Sequence, residues 1–307
     1  MQEDQKSAAG VGYGALSFLT WGLLPLYWKA LITVPALELL AHRIFWSLVF
    51  VLLLIFLKGQ FSNLVQVMKD SQSRRVFATT SLLIGANWWL YIWAVNAGHV
   101  LETSLGYFIN PLVSVSFGYL FLKERLSRGQ TIAIVLAALG VLNLTINFGT
   151  FPWIAITLAL TFGIYGLLRK TALADSLIGL SLETMMLSPV ALGFLIWLEL
   201  HDQGALGHSF GVSGTADWSQ AALLIGAGVV TACPLLWFAY AARRLKLSTV
   251  GFLQYLAPTC QFLLAVFVFR ETFTAVHFLS FSLIWAALAL YSIESWRQLR
   301  RHIPQNT

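Results

Sequence analysis

Ten long apolar stretches, separated by shorter polar segments, make up most of the chain. A helix needs roughly 20 mostly apolar residues to cross the hydrocarbon core of a bilayer. The pattern predicts spans at about 10–30, 37–57, 76–97, 103–122, 130–147, 151–170, 178–200, 219–241, 248–268 and 275–296. The sequence therefore predicts an all-α membrane protein with ten transmembrane helices.

Two short motifs recur between the halves of the chain at one constant offset. The matched pairs are LTWG at Leu19–Gly22 with LTFG at Leu160–Gly163, and LLIGA at Leu82–Ala86 with LLIGA at Leu223–Ala227. Both offsets are 141 positions. A repeat of five spans would enter the membrane with opposite polarity in its second copy, as in many secondary transporters. We therefore predict two inverted repeats, at residues 1–147 and 148–307.

The fourth and ninth spans each carry a polar stripe and a proline. The stripe residues are Tyr107 and Asn110 in the fourth span and Gln254, Tyr255 and Gln261 in the ninth. Pro111 stands thirteen residues before Glu124, and Pro258 stands thirteen before Glu271. Proline-interrupted helices at corresponding points of two halves are typical of a transport site. We predict that these five polar residues line a cavity and that both helices break at proline; the alternative is helix packing through small residues.

The third span contains the motif NWWLYIWAVN. Asn87 and Tyr91 share one helical face, while Trp89, Trp93 and Asn96 lie nearly opposite. Only one of these faces can line a cavity, and Asn87 and Tyr91 are the candidate lining residues. A pocket for a flat or amphipathic ligand is one interpretation; aromatic packing and anchoring at the membrane interface is the other.

Ionisable residues inside the second span are a further candidate site. Glu38 and His42 are four positions apart on one face, and Arg43 is adjacent in sequence. Charged groups at membrane depth are costly unless they pair or line water. We expect one local polar cluster, which acts either as an outer gate or substrate contact, or as an ion pair reaching the interface.

Glu183 is an acidic residue within the seventh span, near its inner end. It is a candidate to hold a coupling proton. The alternative is a structural ion pair with Arg169 or Lys170 at the end of the sixth span.

Charge distribution predicts the orientation. The chain is 58% hydrophobic and 10% charged, with 19 basic residues. With the N-terminus inside, sixteen of these fall in cytoplasmic segments, against Lys29 and Arg270 outside and Arg43 within a span. Short cytoplasmic loops retain Lys and Arg, so we predict a plasma (inner) membrane protein with both termini cytoplasmic. Orientation in the lipid bilayer explains the excess of basic over acidic residues, and no nucleic-acid partner is predicted.

The sequence offers little support for catalysis. Cys233 and Cys260 both lie in apolar spans, the histidines show no HExxH spacing, and no G-x-x-x-x-G-K-[ST] stretch occurs. We predict no catalytic residues, no metal and no cofactor, and make no prediction of the oligomeric state. The alternatives to a transporter are a membrane subunit for binding or assembly and an intramembrane enzyme.

Four segments carry a family resemblance: Trp21–Lys29, Glu38–Ser47, Asn87–Asn96 and Leu101–Leu112. They resemble the RarD branch of the EamA-type drug/metabolite transporter superfamily, a branch labelled chloramphenicol-sensitive protein. The resemblance implies a ten-helix inner-membrane permease of two inverted EamA repeats, in a superfamily that moves amino acids, nucleotide sugars, polyamines and drugs. We predict a secondary transporter that exports a small polar or amphipathic metabolite or drug. Its mechanism would be alternating access around a cavity built from spans 3, 4, 8 and 9.

Overall fold

The computed structural model describes residues 2–211, 216–268 and 274–301, and all regular structure in these ranges is helical. The helices are α1 (Gln2–Lys29), α2 (Ala36–Leu57), α3 (Phe61–Lys69), α4 (Ser71–Asn96), α5 (Val100–Leu122), α6 (Arg128–Phe148), α7 (Trp153–Thr171), α8 (Ser176–Leu200), α9 (Ala205–Ser209), α10 (Trp218–Arg244), α11 (Leu247–Gln254), α12 (Leu256–Leu263) and α13 (Ala275–Arg301). A π-helical turn, Leu264–Val268, follows α12. Arg270, Glu271 and Thr307 lie outside the described residues.

The predicted all-α membrane fold is confirmed. Within the described ranges, nine helical segments are long and apolar enough to cross a membrane, and Leu247–Val268 forms one of them from α11, α12 and the π turn. Helix α4 has membrane-spanning length but is less apolar, because it carries Asn87, Asn96 and several tryptophans. Together they match the ten predicted spans. The short helices α3 and α9 lie in the loops.

Several helices begin at side chains that bind the free backbone N–H groups of the first turn. Asp70 caps α4, Asp175 caps α8 and Asp217 caps α10. Ser127 opens α6 with a capping box. Hydrogen bonds from Ser73 lower the pKa of Asp70. Because these polar caps stand between apolar stretches, they fix where each helix enters the bundle.

Among the helices that lack a capping side chain of their own are α7, α9 and α11. Each of these three is capped by a glutamate from the first half of the chain. Glu102 Oε1 accepts from Ile154 N at 2.8 Å, and Glu38 Oε1 accepts from Ala205 N at 2.5 Å. Glu124 caps the start of α11. These carboxylates therefore connect the two halves at both ends of the bundle.

Helices at matching places in the two halves pack together: α2 on α8, α5 on α11, and α6 on α13. The matched glycines of the LTWG and LTFG motifs make corresponding contacts. A Cβ on Gly22 would lie 2.5 Å from Cys260 Cβ, and one on Gly163 would lie 2.6 Å from Val113 Cγ1. The two glycines thus let α1 approach α12 and α7 approach α5 in the same manner.

The predicted helix break at Pro111 is wrong, whereas the break predicted at Pro258 lies within the turn that precedes this proline. Helix α5 continues through Pro111, because one missing N–H is tolerated in a packed membrane helix. Gly251 supports this close packing, since its Cβ would lie 2.8 Å from the Pro111 carbonyl oxygen. The ninth span is interrupted at Tyr255, and Pro258 lies in the first turn of α12, where proline costs no helical hydrogen bond.

Candidate substrate cavity

A cavity of about 320 Å³ lies between helices of both halves: α1, α2, α4 and α5 from the first, and α7, α10, α11 and α12 from the second. Its polar lining residues are Arg43, Asn87, Tyr91, Thr103, Tyr107, Asn110, Thr231, Gln254 and Gln261. Aromatic rings form much of the remaining wall, including Phe18, Trp21, Trp28, Trp88 and Phe162. Apolar walls with a few polar groups are typical of small-molecule sites.

The cavity lies towards one end of the bundle. We call the end with the loop 30–35 the outer end, and the opposite end, with the loop 123–127, the inner end. Lining residues come from the C-terminal halves of α1 and α4 and from the N-terminal halves of α2, α5 and α7. These helix halves all belong to the outer end, so the cavity occupies the outer part of the bundle.

The structure brings six of the seven predicted cavity residues together, and Tyr255 is the exception. Its ring is 1% exposed and packs with Val115, Phe252 and residues of α6 and α13. Gln254 and Tyr255 are neighbours in sequence, so they point in different directions when Gln254 faces the cavity. The prediction that Tyr255 lines the cavity was wrong.

On α4, the face with Asn87 and Tyr91 lines the cavity. Trp89 and Trp93, on the other face, are 57% and 40% exposed. The Asn87 amide donates to Leu158 O at 2.9 Å and to Thr161 Oγ1 at 2.8 Å. Asn87 therefore connects α4 to α7 as well as lining the cavity.

The polar stripes of α5 and α11 meet at the inner side of the cavity. Gln254 Nε2 donates to Ser114 Oγ at 3.0 Å, and both side chains are buried. The Tyr107 and Tyr91 rings meet edge to face at 6.0 Å. Asn110 Oδ1 is buried and has no hydrogen-bond partner among the described residues. Asn110 lines the cavity, but this unsatisfied acceptor atom has almost no accessible surface.

Arg43 is the charged group of the cavity. Its Nε donates to Thr231 Oγ1 at 3.0 Å, and its guanidinium carbon lies 4.8 Å from the Trp28 ring centroid and 5.4 Å from that of Trp88. Cation–π contacts of this kind contribute roughly 0.5–2 kcal/mol each. Two tryptophans and one hydroxyl thus hold the guanidinium at the cavity wall.

Glu38 and His42 form a separate pair outside the cavity lining. His42 Nε2 lies 3.7 Å from Glu38 Oε1, and both side chains are almost fully buried. Glu38 also caps α9 through Ala205. The prediction of a single cluster with Arg43 was wrong, because His42 and Arg43 are consecutive on a helix and point about 100° apart.

Glu183 also lies outside the cavity lining, towards the inner end. Its Oε1 is 3.6 Å from Arg169 Nη1, and Tyr165 donates to its Oε2 at 3.1 Å. Arg169 is 1% exposed. Gly179 leaves the space for this guanidinium, since a Cβ there would lie 1.7 Å from Arg169 Nη1. The geometry matches the structural ion pair with Arg169, while Lys170 donates to the carbonyls of the α10–α11 turn.

Towards the inner end, α5 and α11 are joined by a contact that sequence reasoning missed. Lys123 adopts a left-handed conformation, φ 53°, which turns Glu124 back towards the bundle. Glu124 Oε1 accepts from Leu247 N at 2.5 Å, and Oε2 accepts from Ser248 N at 2.9 Å and Ser248 Oγ at 2.7 Å. We call this contact the inner latch. Its sequence signal is a glutamate directly after one span and a later helix start without its own capping residue.

Comparison with known proteins places this architecture in a family. The model of the EamA-like transporter family matches residues 8–146. A protein named "Uncharacterized transporter YojE" from Bacillus subtilis (strain 168) is 47% identical over 302 residues, covering 96% of this chain and 98% of that protein. "Protein RarD" from Escherichia coli (strain K12) is 41% identical, covering 97% of this chain and 99% of that protein.

A more distant relative is named "Chloramphenicol-sensitive protein RarD" and comes from Pseudomonas aeruginosa. It is 31% identical and covers 96% of this chain and 97% of that protein. A solved crystal structure of a protein that is 18% identical covers 95% of this chain and 99% of that one, with a TM-score of 0.68. This last likeness shows the fold alone. The identities over nearly full length show that the chain belongs to the RarD branch of the EamA-like membrane transporter family.

Proposed function

We propose that this protein is an inner-membrane secondary transporter that exports a small amphipathic metabolite or drug by alternating access. The observation that carries the proposal is the cavity itself. It lies between helices of both halves and combines aromatic walls with a few polar groups. A site at the interface of two repeats is where rocking of one half against the other would change access.

The proposed two inverted repeats are residues 1–147 and 148–307. Support comes from the packing of helices at matching places and from the paired contacts of Gly22 and Gly163. The predicted topology, with both termini cytoplasmic, makes the outer end extracytoplasmic. The structure would then be an outward-facing state, with the substrate cavity in the outer half and the inner latch closed.

In the transport cycle that we propose, opening of the inner latch exposes the cavity to the cytoplasm. Substrate enters next to Tyr107, Asn110 and Gln261, and release follows when the latch closes and the outer end opens. The chain has no Walker A stretch, so an ion gradient or the substrate gradient would supply the energy. Glu183 remains a candidate for proton coupling.

The test starts from metabolites, because the substrate has to be identified first. Compounds that accumulate in deletion cells and fall on overexpression are offered to proteoliposomes, and the expected result is protein-dependent flux. Gln261→Trp should block this flux by filling the cavity. The matched control is Val135→Trp on α6, where the native side chain is 52% exposed. Protein-dependent flux that Gln261→Trp leaves unchanged would place the transport pathway elsewhere, and no flux of any changed compound would favour an assembly subunit.

The topology has its own test. A reporter enzyme that is active only outside the cytoplasm, fused after Thr307, should stay silent, while a cytoplasmic reporter at the same place should be active. Strong activity of the first reporter would overturn both the orientation and the outward-facing assignment.

A further inference from the structure

The charge of the cavity narrows the substrate class. Among the lining residues, all within the described part of the chain, Arg43 is the one charged side chain. No Asp or Glu lines the cavity. Within the described ranges, no carboxylate is seen within ion-pairing distance of the guanidinium either; the ion pairs of His42, His99 and Arg169 do not involve it.

The Arg43 guanidinium has no counter-charge among the described residues. Arginine stays protonated in proteins and carries five N–H donors. Arg43 uses one of them, Nε–H, for Thr231, and its two Nη atoms bind no described protein group. Both Nη atoms keep some accessible surface, and because Arg43 lines the cavity they are accessible from it. Arg43 is partly buried at membrane depth, where a cation without an anionic partner is less favourable than in bulk water, and Trp28 and Trp88 offset part of that cost.

We propose that Arg43 binds the anionic group of the substrate, and that the transporter is selective for small organic monoanions with an apolar or aromatic body. This inference rests on the proposed function and specifies its substrate. The two free Nη groups match the two oxygens of a carboxylate in the bidentate geometry that arginine favours. One guanidinium balances one negative charge, and the aromatic walls accept the rest of the molecule. A cationic compound would meet the same positive charge without any carboxylate to bind it.

The test measures the charge selectivity of the cavity without knowledge of the substrate. In a background with Cys233 and Cys260 changed to Ala, a cysteine replaces Gln261. Its reaction from the outer side is timed with two methanethiosulfonate reagents of similar size, the anionic sulfonatoethyl and the cationic trimethylammonioethyl compound. The measured quantity is the ratio of the anionic to the cationic rate.

Arg43→Gln should lower this ratio more than sixfold. Arg43 and position 261 line the same cavity; for charges roughly 8 Å apart, Coulomb's law gives a change of about sixfold in a water-like dielectric and about 1,000-fold at an effective dielectric of 20. Arg43→Lys keeps the charge and should retain most of the ratio. Lys29→Gln is the matched control: Lys29 is an exposed cation at the outer end and does not line the cavity.

A second comparison keeps Arg43 in place, in case its replacement prevents folding. The ratio at position 261 should exceed by at least sixfold the ratio at a cysteine replacing Phe151, which is 76% exposed in an outer loop whose own sequence carries no charged residue. Equal ratios at the two sites, or a change below sixfold in folded Arg43→Gln, would overturn the anion proposal and leave the transporter proposal standing. Failure of both reagents to reach position 261 in folded protein would overturn both proposals.

Discussion

The inner latch gives the most direct test of alternating access. Glu124→Gln preserves the size of the side chain but removes its charge and replaces one acceptor oxygen with a donor amide. The Glu124 carboxylate accepts three hydrogen bonds, two of them from backbone N–H groups at the start of α11. At least one of these N–H groups would lose its partner, which would weaken the only cap observed at the start of α11.

The magnitude follows from the geometry. Hydrogen bonds to a charged acceptor contribute roughly 1.5–3 kcal/mol each, and loss of a helix cap costs about 1 kcal/mol. Glu124 is partly exposed, so screening by water reduces the loss. We expect a net destabilisation of the closed inner end by about 1.4 kcal/mol, which corresponds to a roughly tenfold larger inward-open population.

The assay measures the labelling rate of a cysteine that replaces Gln254 in the same cysteine-free background. The reagent is added to inside-out vesicles, so it reaches the protein from the cytoplasmic side. Glu124→Gln should raise the labelling rate about tenfold if opening equilibrates quickly. Glu294→Gln is the matched control, because Glu294 accepts from Ser127 at 3.0 Å and connects α6 to α13 rather than α5 to α11. Equal rates for Glu124→Gln and the parent protein, or the same increase in Glu294→Gln, would refute the role of the latch.

Three substitutions test the packing, each through the thermal unfolding midpoint of purified protein in detergent. Gly179→Ala should lower stability by about 3 kcal/mol, because the added Cβ would lie 1.7 Å from the buried Arg169 guanidinium and displace it from the Glu183 carboxylate. The control is Gly193→Ala on the same helix, whose added Cβ meets nothing within 4 Å and should change stability little. Gly251→Ala should cost about 1–3 kcal/mol, because the added methyl would lie 2.8 Å from a backbone oxygen of α5. Tyr255→Phe should raise stability by about 1 kcal/mol, since the buried hydroxyl finds no partner in the described ranges; a lower midpoint would show that the hydroxyl is satisfied.

Local periodicity predicted the length of each span and which residues share a face within one straight helix. The length of each apolar stretch gave the spans, because hydrocarbon thickness sets that length. The 100° rotation per residue placed Asn87 with Tyr91, and Tyr107 with Asn110, and each pair does line the cavity. It could not decide which face of α4 points inward, since that depends on neighbouring helices.

The wrong or missing predictions concern side chains whose orientation is set by an interrupted backbone or by a partner far away in the sequence. Tyr255 stands at the interruption of the ninth span, so the regular rotation does not continue through it. His42 and Arg43 are adjacent in sequence, but their partners come from different parts of the fold. The bond from Glu124 to Ser248 joins residues 124 positions apart, and no local pattern contains that information. Long-range contacts of this kind arise only when the helices pack.

The three glutamate caps have a consequence for biosynthesis. Glu38, Glu102 and Glu124 are synthesised before the helix starts that they cap at Ala205, Ile154 and the α11 turn. A nascent first half would thus enter the bilayer with three carboxylates whose backbone partners have yet to leave the ribosome. A five-helix fragment made alone would lack these bonds, so the two halves would form a stable pair of separate chains only when produced together. A dimer of single repeats would have to exchange such caps between its subunits.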